Sequence, residues 1–225
     1  MKIQLVFLMV IFLLFQGCQD NSQSLDDLNI IKQDFVNSIL KENFDESPFH
    51  INYSFRTIFF SSDIVSLLGE IHVYDHLPHG WSQYESKTFC KVNGKFKEIT
   101  LNDLFTTPDQ KVFLKIYCEN VLKKDVCSYF SGKNVLCSEL DQKYLQTFII
   151  NDQFLIIIFQ PYSVGGCSDG PFHVKIPYQD LKDKWNPTNP LKPLLNKVLL
   201  SKEFTSSWDE EGFYSQLEET VMQNQ

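Results

Sequence analysis

An α+β domain, with a mostly antiparallel twisted sheet and helices packed on one face, follows from three features of the sequence. Strand-like runs come first, one well-capped helix sits between them, and strands return before a last helix. Asn93-Gly94 is the strongest short-range hairpin signal in the chain. Phe154–Phe159 is apolar at every position, as expected of a strand covered on both faces and central in its sheet.

The elements follow in order. Leu28, Ile31, Phe35, Ile39 and Leu40 recur at helical spacing and predict a helix over Leu28–Phe44. Ile51–Phe60 alternates as a strand, Ser61-Ser62-Asp63 breaks it, and Ile64–Tyr74 returns as its hairpin partner. After Asp75–Gly80, Ser82–Val92 is the next strand, and Phe96–Ile99 comes back from the Asn93-Gly94 turn. Leu101–Phe105 makes a helical turn. A second helix opens at Thr107-Pro108-Asp109-Gln110: Thr107 caps, proline suits the first helical position, and Gln110 completes a capping box. Phe113, Ile116, Tyr117, Asn120 and Val121 carry its face to about Lys124. Leu145–Ile150 and Phe154–Gln160 are strands joined at Asn151-Asp152-Gln153. The Gly-rich loop Pro161–Pro171 leads to a strand at Phe172–Ile176 and a helix over Pro177–Trp185, which Pro187 and Pro190 terminate. Residues 28–200 read as one domain, followed by an acidic amphipathic segment over 201–225.

The N-terminus is a targeting segment. One positive charge, Lys2, precedes the apolar run Leu5–Phe15, and Gln16-Gly17-Cys18 follows. As a helix the run spans roughly 16 Å, too short for a permanent span. A Cys directly after Gly17 makes residues 1–17 look like a lipoprotein signal, with Cys18 the lipidated residue and 18–27 a polar tether; a plain secretory signal is the alternative. Export permits disulfides. Besides Cys18 the chain has Cys90, Cys118, Cys127, Cys137 and Cys167; Cys127 and Cys137 flank a short polar loop and are the preferred pair, with Cys118 a rival partner. The net charge of −8 and a single arginine, Arg56, exclude a nucleic-acid partner.

Strand Phe154–Gln160, Pro161-Tyr162, the Gly-rich loop, Gly170-Pro171-Phe172, then Val174-Lys175-Ile176-Pro177-Tyr178 and Leu181 form an ordered set of short motifs. Upstream stand Gly94-Lys95, Leu101-Asn102-Asp103-Leu104-Phe105 and Leu77-Pro78-His79-Gly80. Together they resemble the RsiV-like domain of unknown function, found at the C-terminus of the anti-sigma factor RsiV and in the peptidoglycan deacetylase PdaC. Of that family's Gly-Ala-His segment only His79 is kept. The resemblance covers Tyr53 to Leu195 and implies an extracytoplasmic domain of the cell envelope; in RsiV such a domain recognises lysozyme. With few residues ahead of the apolar run, an anti-sigma role is not expected.

His72, His76 and His79 suit a metal by residue type, but the strand ends near Asp75, so ordinary loop histidines are the better reading and no metal or cofactor is expected. Cys167, Asp169 and His173 are compact in sequence without a setting for an activated thiol, and Ser168 lacks a nucleophile elbow. Glu70, Asp75 and Glu85 offer carboxylates for glycan hydrolysis with no spacing that singles out a pair. His79, Trp81 and Tyr84 near one loop and Tyr162 in another are the candidate ligand contacts, since exposed aromatics stack on sugars or anchor interfaces. The expected protein is a non-catalytic, lipid-anchored envelope protein that binds a glycan or a protein such as lysozyme, on the periplasmic or extracellular side. The alternatives are a peptidoglycan-modifying or hydrolytic envelope enzyme and a structural lipoprotein.

Overall fold

A computed structural model describes residues 26–39, 50–74, 80–129, 140–161, 163–164 and 171–191. The chain divides into two compact units, Met1–Ser47 and Pro48–Gln225. In the first, residues 26–39 form helix α1. Its buried stripe is Leu28, Ile31, Phe35, Val36 and Ile39, matching the expected periodicity; positions 40–44 of the expected helix lie outside the described residues.

The described residues of the second unit have the expected α+β make-up with antiparallel strands, arranged in two sheets where a single sheet was expected. β1 (His50–Phe60), β2 (Ile64–Tyr74), β3 (Trp81–Val92) and β4 (Lys95–Ile99) form a meander in the order β1-β2-β3-β4. Asn93 and Gly94 turn β3 into β4 with φ of 52° and 79°, the left-handed pair that matches the strands' own twist. β1 carries a bulge between Thr57 and Phe59. The extra residue lets Ile58 pack on the Leu68–Tyr84 cluster while Phe59 enters the main core.

Helix α2 (Leu101–Leu104) follows, closed by Asp103 Oδ2, which accepts from the Thr100 amide and hydroxyl, both at 2.8 Å. Those two bonds, first the amide and then the hydroxyl, pull the Asp103 carboxyl below its usual value. Helix α3 (Pro108–Tyr129) opens as the sequence implied. Gln110 Oε1 accepts from the Thr107 amide at 3.0 Å, and Thr107 Oγ1 accepts from the Gln110 amide at 3.3 Å. It runs five residues past Lys124, because no Gly or Pro interrupts the chain before Gly132. Cys127 therefore lies in the helix rather than at a loop mouth.

A 3-10 turn (Gln142–Tyr144) precedes β5 (Thr147–Ile150), β6 (Phe154–Phe159) and β7 (Phe172–Pro177), in the order β5-β6-β7. β6 is the central strand, as its sequence demanded. Its Leu155, Ile157 and Phe159 share the main core with Leu114, Cys118 and Leu122 of α3, while Ile156 and Ile158 pack on Leu68 and Tyr84 of the four-stranded sheet. The β5–β6 turn is an Asx turn: Asn151 Oδ1 accepts from the Gln153 and Phe154 amides at 2.9 and 2.7 Å. Tyr178 staples it by donating its hydroxyl to the Asn151 and Phe154 carbonyls. Helix α4 (Tyr178–Leu181) is shorter than the expected Pro177–Trp185. Beyond it the backbone tightens, the Lys184 amide bonding the Leu181 carbonyl at 2.8 Å, ahead of the Asn186-Pro187 break.

Candidate functional site

The ladder of the four-stranded sheet sorts its side chains by parity. Glu70 stands opposite Tyr84, His72 opposite Ser82, and Leu68 opposite Ser86. On β1, Arg56 pairs with Leu68, Ser54 with Glu70 and Asn52 with His72. All of these positions share one face. Along it the character changes: Leu68 and Tyr84 meet the three-stranded sheet, while Asn52, Ser54, Glu70, His72 and Ser82 make the far half polar and half-buried to exposed.

Two hydrogen bonds organise the polar half. The Tyr84 hydroxyl donates to Glu70 Oε1 at 3.0 Å, and His72 Nδ1 shares a hydrogen bond with Ser82 Oγ at 2.7 Å. Arg56 is half-buried beside them. Burial holds its guanidinium below the usual value, and the neighbouring Glu70 and Tyr84 work in the opposite direction. Gln160 grips the Tyr84 backbone from both sides: its Oε1 accepts from the amide at 2.8 Å and its Nε2 donates to the carbonyl at 2.6 Å. The exit of β6 is thereby tied to the middle of β3.

The structure divides the expected site residues. Tyr84 is 2% exposed, so its ring cannot stack on a ligand; its part is to hold Glu70 through its hydroxyl. This corrects the expectation of an exposed aromatic, because residue 84 falls on the face that the second sheet covers. Position 81 pairs with Val73 in the ladder, three residues before Tyr84 along β3. His79 and Tyr162 lie outside the described residues, as do Cys18, Asp75, His76, Cys137, Cys167, Ser168 and Asp169. Glu85 pairs with Gly69 and faces away from Glu70, with its Oε1 accepting from Gln83 Nε2 at 2.6 Å; these two carboxylates cannot act as a pair across one substrate. His173, in β7, pairs with Ile158 and sits half-buried between the sheets.

Cys90 and Cys118 are reduced and buried, which removes Cys118 as a disulfide partner. Burial pushes their thiols up to about 11 and about 12, with Asp63 and Glu119 adding to the rise. Such thiols are poor nucleophiles. Among the described residues no three His, Cys, Asp or Glu side chains gather as a metal site, and no helix is long and apolar enough to cross a membrane.

Arg56, His72, Ser82, Asn52 and Ser54 do not stand out as a group in the sequence. The signal that links them is the parity of three adjoining strands, which becomes a shared face only once the register is known.

Residues 102–179, from α2 into α4, match the family model described as a protein of unknown function, DUF3298. The chain is similar in fold to the crystal structure of a DUF3298 family protein from Pseudomonas aeruginosa PAO1, with a TM-score of 0.50, 13% identity and coverage of 68% of both chains. It is also similar to that of a DUF3298 family member from Bacteroides fragilis, with a TM-score of 0.50, 13% identity and coverage of 74% of this chain and 65% of that one. The chain thus spans just under two thirds of the second protein's length. No curated protein matches it.

Proposed function

We propose that this chain, with its DUF3298-type domain behind an export signal, is a lipid-anchored protein of the cell envelope whose domain binds a ligand without chemical turnover. The address is argued from Leu5–Phe15 and Cys18. The binding role is argued from the RsiV-like resemblance and, above all, from one observation: a rigid antiparallel ladder presents Arg56, Glu70, His72 and Ser82 on one face. A lysozyme-like protein and a peptidoglycan glycan are the candidate ligands. His79 and Tyr162 are proposed as flanking contacts, His79 on the β2–β3 connection and Tyr162 two residues after Gln160.

Binding is favoured over hydrolysis because the described carboxylates Glu70 and Glu85 point to opposite faces. The test is calorimetric titration of the full chain in detergent against lysozyme and soluble peptidoglycan fragments, with mass spectrometry of the fragments afterwards. Saturable binding with unchanged fragment masses is expected; altered masses would overturn the non-catalytic reading. Metabolic labelling with palmitate, lost in Cys18→Ala, is the expected signature of the anchor.

A further inference from the structure

We propose that the polar face takes a neutral glycan, held by Arg56, Glu70, His72 and Ser82 through its hydroxyl and amide groups. This assignment rests on the ligand-binding reading above and chooses between its two ligands.

The argument is one of charge and donor balance. The chain as a whole is acidic at −8, but among the described residues this face carries Arg56 against Glu70. The guanidinium and the carboxylate among the described residues are diagonal neighbours on adjoining strands, Arg56 pairing with Leu68 and Glu70 lying two residues further along β2. A basic protein would be drawn to unbalanced negative charge, and a phosphate or other anion to unbalanced positive charge. Among the described residues the face offers neither.

It offers instead a mixture of hydrogen-bonding types. Arg56 only donates, Glu70 only accepts, and His72, Ser82, Ser54 and Asn52 do both. Sugar hydroxyls are themselves donor and acceptor at once, so such a mixture suits them and no charge on the ligand is required. The carboxylate is also preset. Tyr84, buried and gripped through its backbone by Gln160, fixes Glu70 with a hydrogen bond at 3.0 Å, and an ionised carboxylate has room for further donors. A preset acceptor loses less freedom on binding than a mobile one.

The probe is chitotetraose, a neutral oligomer of N-acetylglucosamine, titrated into the full chain in detergent at low and high salt. Saturable binding that salt leaves unchanged is expected. Glu70→Gln should weaken it about tenfold or more, since a charge-assisted bond is lost. Ser82→Ala, at a half-exposed position, is the second variant. It should weaken binding several-fold with an unchanged melting temperature, so a folding defect in Glu70→Gln still leaves a decision. Chitotetraose binding that neither variant alters would overturn the assignment to this face. Salt-sensitive binding of lysozyme without any response to chitotetraose would overturn the glycan and leave the ligand-binding reading standing. Silence toward lysozyme, chitotetraose and peptidoglycan fragments would overturn both.

Discussion

Gly69 is held to glycine by a tyrosine. A Cβ built there would lie 2.6 Å from Tyr53 Oη and 2.8 Å from its Cε2, and the Tyr53 ring, 2% exposed, has no room to swing away. Gly69→Ala should therefore destabilise the protein by about 1–3 kcal/mol, read as a lower urea midpoint. Among the described residues the buried Tyr53 hydroxyl has no hydrogen-bond partner. Tyr53→Phe should accordingly be neutral or slightly stabilising, and in the double variant it should soften the effect of Gly69→Ala. A midpoint for Gly69→Ala equal to the parent's would mean the ring moves freely. In the sequence Gly69 is a mere interruption of an apolar strand. That it lies beneath a ring from β1 depends on the register, in which Phe55 pairs with Gly69.

At the scale of elements, the two sheets meet by an unusual arrangement. β5 is an edge strand, and its outward amides need acceptors. Phe148 N–H donates to Ser86 Oγ and Ile150 N–H to Ser66 Oγ, each at 3.1 Å, so hydroxyls from the face of one sheet stand in for a missing neighbour strand. Ser66 is fully buried and also hydrogen-bonded to Thr88 at 3.0 Å. Ser66→Ala should cost about 1–3 kcal/mol, because it leaves a buried amide unsatisfied. Ser86→Ala should cost less, since Ser86 is half-exposed and water can take its place. Hydrogen exchange at Ile150 and Phe148 in each variant would separate the two; equal loss of protection would contradict the ordering. The caps and turns around these strands were legible in advance, Thr107 with Gln110 and Asn93 with Gly94 above all. The division into two sheets was not, because serines on β2 and β3 read as ordinary polar positions until β5 lies against them.

Across the whole molecule, buried neutral acids set an alkaline limit on stability. Burial raises the thiols of Cys90 and Cys118 to about 11 and about 12, and it lifts the phenols of Tyr53 and Tyr178 above their usual value. The sign follows directly. Each group holds its proton more tightly when folded, so its contribution is fully present below the unfolded thiol and phenol values, about 8.5 and 10. It is then lost as pH rises through the folded values. Urea midpoints should hold up to about pH 8 and fall beyond it, with Cys118 contributing at most about 1.4 kcal/mol per pH unit. Cys118→Ala should flatten that limb; an unchanged slope would show that the thiol titrates normally. The same burial predicts that neither thiol reacts with a disulfide reagent until the protein unfolds.

What the chain declares locally it declares well. Alternation within β1 to β3, the twice-covered run of β6, the hairpin at Asn93-Gly94 and the cap at Thr107 all act over a few residues, and all appear where their chemistry places them. The candidate site is of another kind. Arg56, Glu70, His72 and Ser82 come from three strands, and they share a face because Glu70 aligns with Tyr84 and Arg56 with Leu68. A slip of one residue would send each to the other side. That register is set jointly by the turns, the bulge at Thr57–Phe59 and the burial of Leu68 and Tyr84 against the second sheet. It is a sum over contacts distant in sequence, which no window of neighbouring residues contains.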